Sequence, residues 1–216
     1  MASLDDIGGL VFHIDKLLTI ALQYQRPDLY FLHAAAVALD GRVAVLAAPA
    51  GTGKSTLTLA LVDQGFSYLS DELAPLDVRS MTVHPYPHAL CLKSPPPSPY
   101  RLPPGTLETG ERFHVPTAAL SPVTVREPLP VVAVVFVQRG QPEPFVCRSI
   151  TPGRAAARLM ANALNPLAHN GHGLDVAVTI SRTVPSFELE SGDLRRACAA
   201  VEGILCHRDD LMTVTS

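Results

Sequence analysis

The sequence predicts an α/β fold: a mixed β-sheet that carries one glycine-rich loop and its helix, flanked by a few helices. Three observations predict it. Ala48 to Thr56 sets small residues between an apolar run and a stretch of helical periodicity. Many short apolar runs stand between turn signals, without the steady strand–helix alternation of a doubly wound sheet. Of the 20 prolines, twelve lie between His84 and Pro130, which excludes a helix bundle or a central sheet there.

Composition narrows the class. The chain has 216 residues, 47% of them hydrophobic and 17% charged, with a mean hydropathy of +0.22. That is enough for a core and rules out global disorder. The expected organisation is one domain over 1–216, with the proline-rich stretch at about 94–130 as a lid or substrate segment. A formal net charge of −3 disfavours a nucleic-acid partner. No apolar run reaches the ~20 residues of a membrane span. Met1 to Asp6 lacks a basic region followed by an apolar one, so a cytoplasmic protein without a leader is expected. Cys91, Cys147, Cys198 and Cys206 form no CxxC and read as reduced packing residues.

Along the chain, residues 8–24 give a mixed strand and helix signal. Phe31 to Leu39 and Arg42 to Ala48 read as strands joined by the hairpin turn Asp40-Gly41. Lys54 to Gln64 has helical periodicity and stops at Gly65. Short strands follow at Phe66–Ser70, Ala74–Val78, Met81–Val83 and Ala89–Lys93, then a loop from Ser94 to Gly110. Val131–Gln138 reads as a buried strand and Phe145–Ile150 as a half-exposed one. Thr151 caps a helix reaching about Leu164, with Pro152 at its first position. Val176–Arg182 and Ser186–Leu189 read as strands, and Gly192–Cys206 as an amphipathic helix.

The stretch Ala48-Pro49-Ala50-Gly51-Thr52-Gly53-Lys54-Ser55-Thr56 carries the chemistry. It matches the phosphate-binding pattern GxxxxGK[ST] except that Ala48 replaces the first glycine. Glycines at 51 and 53 let consecutive N–H groups turn toward phosphate oxygens. The helix start adds a favourable field for an anion. Lys54, one of three lysines in the chain, supplies mobile positive charge, and Ser55 offers a hydroxyl to Mg²⁺. Asp71 and Glu72 end a strand seventeen residues further on. One can hold Mg²⁺ while the other takes a proton from an attacking hydroxyl. His33 lies on the strand before the loop, where a lone histidine most often packs in the core. His169 and His172 lack further ligands at metal spacing.

The segments Leu32-His-Ala-Ala-Ala-Val-Ala-Leu-Asp-Gly41, Ala48 to Thr56 and Phe66-Ser-Tyr-Leu-Ser-Asp-Glu72 resemble the HPr kinase/phosphorylase family. They are most similar to its small bacterial relatives, which include lasso-peptide precursor kinases. The likeness is densest over 32–93 and reaches Leu189 to Leu194. It implies a phosphoenolpyruvate-carboxykinase-like fold, ATP and Mg²⁺, and a hydroxyl acceptor. It raises His33, twenty-one residues before Lys54, to a residue near the reacting phosphate. It makes one acid of the Asp71-Glu72 pair the base, here expected to be Asp71, with Glu72 on the metal or assisting. Pro85-Tyr-Pro-His-Ala-Leu-Cys-Leu-Lys93 is similar to a Pro-x-Pro-Arg-x-x-x-Leu-Lys stretch of the small relatives. His88 stands there in place of arginine, and Lys93 is in reach of a phosphate or an acidic substrate. The resemblance also admits a homo-oligomer. Neither the signature for phosphorolysis nor the N-terminal domain of the full-length enzymes is recognisable, so HPr itself is not the expected acceptor.

The expected function is thus ATP-dependent, Mg²⁺-assisted phosphoryl transfer to a serine or other hydroxyl of a peptide or protein. The expected catalytic set is Asp71, Glu72, His33 and Lys54. Pro49 to Thr56 would bind the nucleotide, Ser55, Asp71 and Glu72 the metal, and His88 and Lys93 the substrate. The alternatives are a nucleotide-binding regulatory or assembly module and a kinase of a small-molecule alcohol. Neither a nucleic acid nor a membrane is an expected partner.

Overall fold

The computed structural model describes residues 7–110, 112–120, 125–141 and 143–206. The N-terminal residues behind the expectation of no leader lie outside them. Among the described residues, the strands form a nine-stranded mixed sheet and a separate three-stranded one. No described helix is long and apolar enough to cross a membrane.

The first described element is helix α1 (Ile7–Gln25), so the mixed signal there resolves to a helix. Among its described side chains, Leu22 packs against Leu29, Phe31 and Leu73, and the Thr19 hydroxyl lies 3.1 Å from that of Tyr86. Leu17, Leu18 and Tyr24 stay exposed.

The run expected as one strand over Phe31–Leu39 is two, β1 (Tyr30–Leu32) and β2 (Ala34–Leu39), broken at His33. The break has a cause. The His33 N–H leaves the ladder and donates to the Asn162 carbonyl at 2.7 Å. The Asp40-Gly41 turn forms as expected, with φ of +49° and +73° at its two central residues, the signs of the hairpin turn that matches strand twist. It leads into β3 (Arg42–Ala47), antiparallel to β2. Helix α2 (Lys54–Asp63) follows, and Gly65 stops it at φ +97°. Next come β4 (Ser67–Ser70), β5 (Ala74–Asp77) and β6 (Thr82–Val83).

The proline-rich region is more ordered than a loop. β7 (Leu90–Leu92), β8 (Leu107–Thr109) and β9 (Arg112–Val115) pair as a small antiparallel sheet. Leu90, Leu92, Val115 and Leu120 close over Leu59 and Tyr68, giving this sheet its own core against α2 and β4. The prolines fall mostly between these strands, so the ladder loses few donors.

β10 (Leu129–Arg139) is the central strand. It runs parallel to β3 on one edge and to β12 (Ser186–Ser191) on the other, and its first residues pair with β6. Val131 to Val137 are all buried, as for a strand covered on both faces. β11 (Val146–Ser149) lies antiparallel on β12. Helix α3 (Pro152–Ala161) starts with proline at its first position as expected, but the Thr151 side chain makes no capping bond.

Val176–Arg182 is not a strand. It belongs to helix α4 (Leu174–Thr183). Its alternating β-branched residues favour a strand locally. The residues it buries are Ala177, Ile180 and Ser181, which share one helical face and pack on Ala155, Ala156 and Leu159 of α3. Tertiary packing outweighs a propensity worth tenths of a kcal/mol per residue.

Side chains alternate across the main sheet. Ala34, Ala36, Val45, Ala47, Val134 and Phe136 face α3 and α4. Ala35, Val37, Leu46, Ala133 and Val135 face α2 and the last helix, α5 (Leu194–Cys206). The sheet is therefore a filled middle layer. It leaves the loops at the C-terminal ends of β3, β4, β10 and β12 on one rim.

Candidate active site

β3 runs into the loop Ala48–Gly53 on that rim. Gly51 has φ +85° and Gly53 φ +98°, a region that favours glycine. A Cβ on Gly53 would meet nothing within 4 Å, so glycine is required there by conformation and not by space. Ala48 has no positive φ and is buried, so alanine fits where the motif has glycine. The Thr52 N–H and hydroxyl both donate to the Pro49 carbonyl, at 3.4 and 2.8 Å, closing the loop on itself. Pro49, Ala50 and Gly51 remain exposed. Lys54, Ser55 and Thr56 form the first turn of α2, where N–H groups have no carbonyl one turn back.

β4 brings a carboxylate to the same place. It is antiparallel to β2, which is antiparallel to β3, so β4 ends on the rim where the loop begins. Asp71 is 0% exposed there. Its Oδ1 accepts from Lys54 Nζ at 2.6 Å and its Oδ2 from the Ser55 hydroxyl at 2.7 Å. Lys54 is itself only 6% exposed, so the pair is buried on both sides. Glu72, next in the chain, is exposed and holds φ +68°. For a residue with a Cβ this costs on the order of 1–3 kcal/mol, the kind of strain that collects at functional turns.

Four contacts hold the acidic turn. His88 Nε2 lies 2.5 Å from the Asp71 carbonyl and its Nδ1 3.0 Å from that of Ala89. The Tyr68 hydroxyl donates to the His88 carbonyl at 3.0 Å, and burial pushes its pKa well above 10. The Tyr86 N–H donates to the Leu69 carbonyl at 3.0 Å. His88 thus braces the backbone of Asp71. Lys93 lies at the loop instead: its Nζ is 4.0 Å from where a Cβ on Gly51 would stand.

His33 joins this group. Burial and then the charge of Lys54 lower its pKa from 6.5, against the opposing pull of Glu72 and Asp71. The imidazole is therefore uncharged at neutral pH. The unfolded chain binds the proton more tightly, so the neutral ring's contribution is complete above the ordinary 6.5 and falls as pH drops toward the folded value. His33→Gln is expected to flatten the loss of melting temperature between pH 7.5 and 5.5. Parallel melting curves for the two proteins would contradict it.

One cluster gave no signal in the sequence. Glu188 of β12, 4% exposed, accepts from Arg148, Arg154 and Arg158 at 2.9, 3.0 and 2.5 Å. The Arg158 guanidinium also stands 5.4 Å over the Phe136 ring. The three arginines come from β11 and two turns of α3, and only the fold brings them together. Burial alone would raise the pKa of Glu188. The hydrogen bonds of Arg148 and Arg158 and the charges of Arg158 and Arg154 outweigh it and hold the pKa below 4.5. Its stabilisation is present above 4.5 and is lost as pH falls through the folded value. Because Arg148 and Arg154 are half exposed and can return to water, Glu188→Ala should cost only about 1–3 kcal/mol in urea denaturation. No measurable loss at pH 7 would show that the cluster is idle.

Among the described residues, no group of three or more His, Cys, Asp or Glu side chains is placed to hold a metal ion. His169 Nε2 is 3.1 Å from the Leu29 carbonyl. Mg²⁺ needs only one or two carboxylates beside substrate phosphates, and Ser55 with Asp71 is a donor set of that kind.

No family model matches the chain, and no curated protein does. One solved structure similar to it is the HPr(Ser) kinase/phosphatase from Coxiella burnetii. The two are 18% identical, the match covers 84% of this chain and 92% of that one, and the TM-score is 0.43. The likeness is distant, and the reading of the site rests on its own geometry.

Proposed function

We propose that the chain is a kinase that transfers the γ-phosphoryl group of ATP to a hydroxyl acceptor, a serine or other hydroxyl of a peptide or protein. The observation that carries this reading is Asp71, buried and held by both Lys54 and Ser55 beside a loop of left-handed glycines. A structural turn needs none of that charge. Burying a lysine and a carboxylate costs several kcal/mol per ion before their attraction is counted.

Each residue has a part. The loop from Pro49 to Gly53 and the N–H groups of Lys54, Ser55 and Thr56 cradle the phosphates. Lys54 turns from Asp71 to the β- and γ-phosphates, and Lys93 adds charge beside Gly51. Ser55 and Glu72 would hold Mg²⁺ beside Asp71, and the metal would supply charge neutralisation at the phosphate oxygens. Asp71 accepts the proton of the acceptor hydroxyl as that oxygen bonds to the γ-phosphorus. The bond from phosphorus to the bridging oxygen breaks, and ADP leaves with the electron pair. His33, uncharged, lies on the same rim, where a ring N–H can donate to the transferred group. The proline-rich stretch after Lys93 is the substrate-facing segment.

The test is transfer of label from γ-labelled ATP with Mg²⁺ to a panel of serine peptides and small alcohols, with Asp71→Asn as control. Label on one acceptor, absent with the variant, is expected. Nucleotide binding with no transfer to any acceptor would instead favour a binding module.

A further inference from the structure

Helix α1 turns an apolar side to the solvent. Leu10, Ile14, Leu17, Ala21 and Tyr24 are all exposed. They recur at steps of four, three, four and three residues, the seam spacing of a coiled coil. Leu18 and Ile20 flank this seam and are exposed too. Thr19 and Leu22, on the other side of the helix, meet Tyr86 and the buried Leu29, Phe31 and Leu73. The seam therefore points away from the body. We infer that it is the interface with a second copy of this chain, the two α1 helices running antiparallel with Leu17 at the two-fold axis. The inference stands on α1 and is independent of the kinase reading.

Three observations choose that occupant. The first is area. Leu17 is 66% exposed, Leu18 61% and Tyr24 82%. With Leu10, Ile14 and Ile20 they leave roughly 650 Å² in water, more than the usual largest apolar patch of a monomer. Two copies would bury about 1,300 Å² between them, inside the range of about 1,200–2,000 Å² for a stable complex.

The second is self-complementarity. In an antiparallel pair about Leu17, Leu10 meets Tyr24 of the second copy, Ile14 meets Ala21, and Leu17 meets its own counterpart. A small residue thus faces a branched one, and the layers fill without a clash. A patch that pairs with itself closes as a dimer and stops there.

The third is charge. Asp15 and Lys16 carry the formal charges of the helix. They cancel, and the helical repeat sets both about a third of a turn from the seam. A helix that lies on a membrane carries Lys and Arg along its polar face, and α1 has a single lysine. Nothing on it selects a strongly charged partner.

The test is the mass of the full chain by sedimentation equilibrium at about 1–100 μM. The unaltered protein is expected at twice its 23.0 kDa. Leu17→Glu and Leu17→Lys each set like charges against one another at the axis and should weaken pairing by at least about a hundredfold. Mixed in equal amounts, the two variants oppose a carboxylate to an ammonium and should dimerise again. Leu107→Glu, on β8 and 68% exposed, should leave the mass unchanged. Leu17 faces water in the single copy, so its variants should keep the fold, which far-UV circular dichroism checks. A monomer at every concentration, a dimer indifferent to both Leu17 variants, or a mixture that stays monomeric would overturn the inference. So would a monomer that sediments with vesicles of phosphatidylglycerol and phosphatidylcholine, which would give the seam to a lipid surface.

Discussion

Asp71→Asn is expected to lower phosphoryl transfer by about 10²–10⁴-fold, the usual weight of a positioned general base, while ATP affinity changes by only a few-fold. The amide keeps an oxygen for Lys54 or Ser55, so the loop stays in place. What it loses is the ability to take a proton from the acceptor. Lys54→Ala should behave in the opposite order, because on the proposed reading its ammonium would serve the phosphates before any bond is made. Its ATP affinity should fall by more than about tenfold, a single charge-assisted contact being worth about 1.5–3 kcal/mol. Glu72→Gln, which removes one charge from the metal's proposed place, should fall between them. Single-turnover rates and equilibrium binding, measured on the same three variants, separate these parts. Equal loss of ATP binding in Asp71→Asn and Lys54→Ala would contradict the division of roles.

The second large effect is on stability. Lys54→Ala leaves Asp71 at 0% exposure with the Ser55 hydroxyl as its remaining side-chain partner. Breaking a buried pair from one side costs about 3–5 kcal/mol. Replacing both ends at once, as Lys54→Met with Asp71→Leu, removes the stranded charge and should recover most of that loss with no return of activity. The pair would then be a stability cost retained for chemistry. Urea denaturation of the single and double variants reads this directly. A single variant as stable as the unaltered protein would show that Asp71 finds another partner.

Much of this was legible in the sequence, and what was not has physical reasons. The hairpin at Asp40-Gly41 and the loop into α2 depend on local rules, since glycine and the helix start act over a few residues. Asp71 was legible because a strand end seventeen residues beyond Lys54 returns to the same rim. α4 was not, because its β-branched residues favour a strand and only the small residues of α3 make its helical face worth burying. Of the small sheet, β7 was legible as the run Ala89–Lys93, but β8 and β9 were hidden for a similar reason. The sheet's strands are three or four residues long, and their stability comes from Leu59 and Tyr68 beneath them. His88 presents both ring nitrogens to carbonyls, a bracing contact that no spacing reveals. The Glu188 cluster depends on three arginines from two elements that meet only in the folded chain.

The central claim is that Ala48–Thr56 with Asp71 is a site for the phosphates of a nucleotide. It is tested most directly by equilibrium titration of the unaltered protein and of Lys54→Ala with ATP and Mg²⁺, below the melting temperature of both. Saturable binding that weakens by more than about tenfold in the variant is predicted. No saturable binding, or binding that ignores Lys54, would contradict the account.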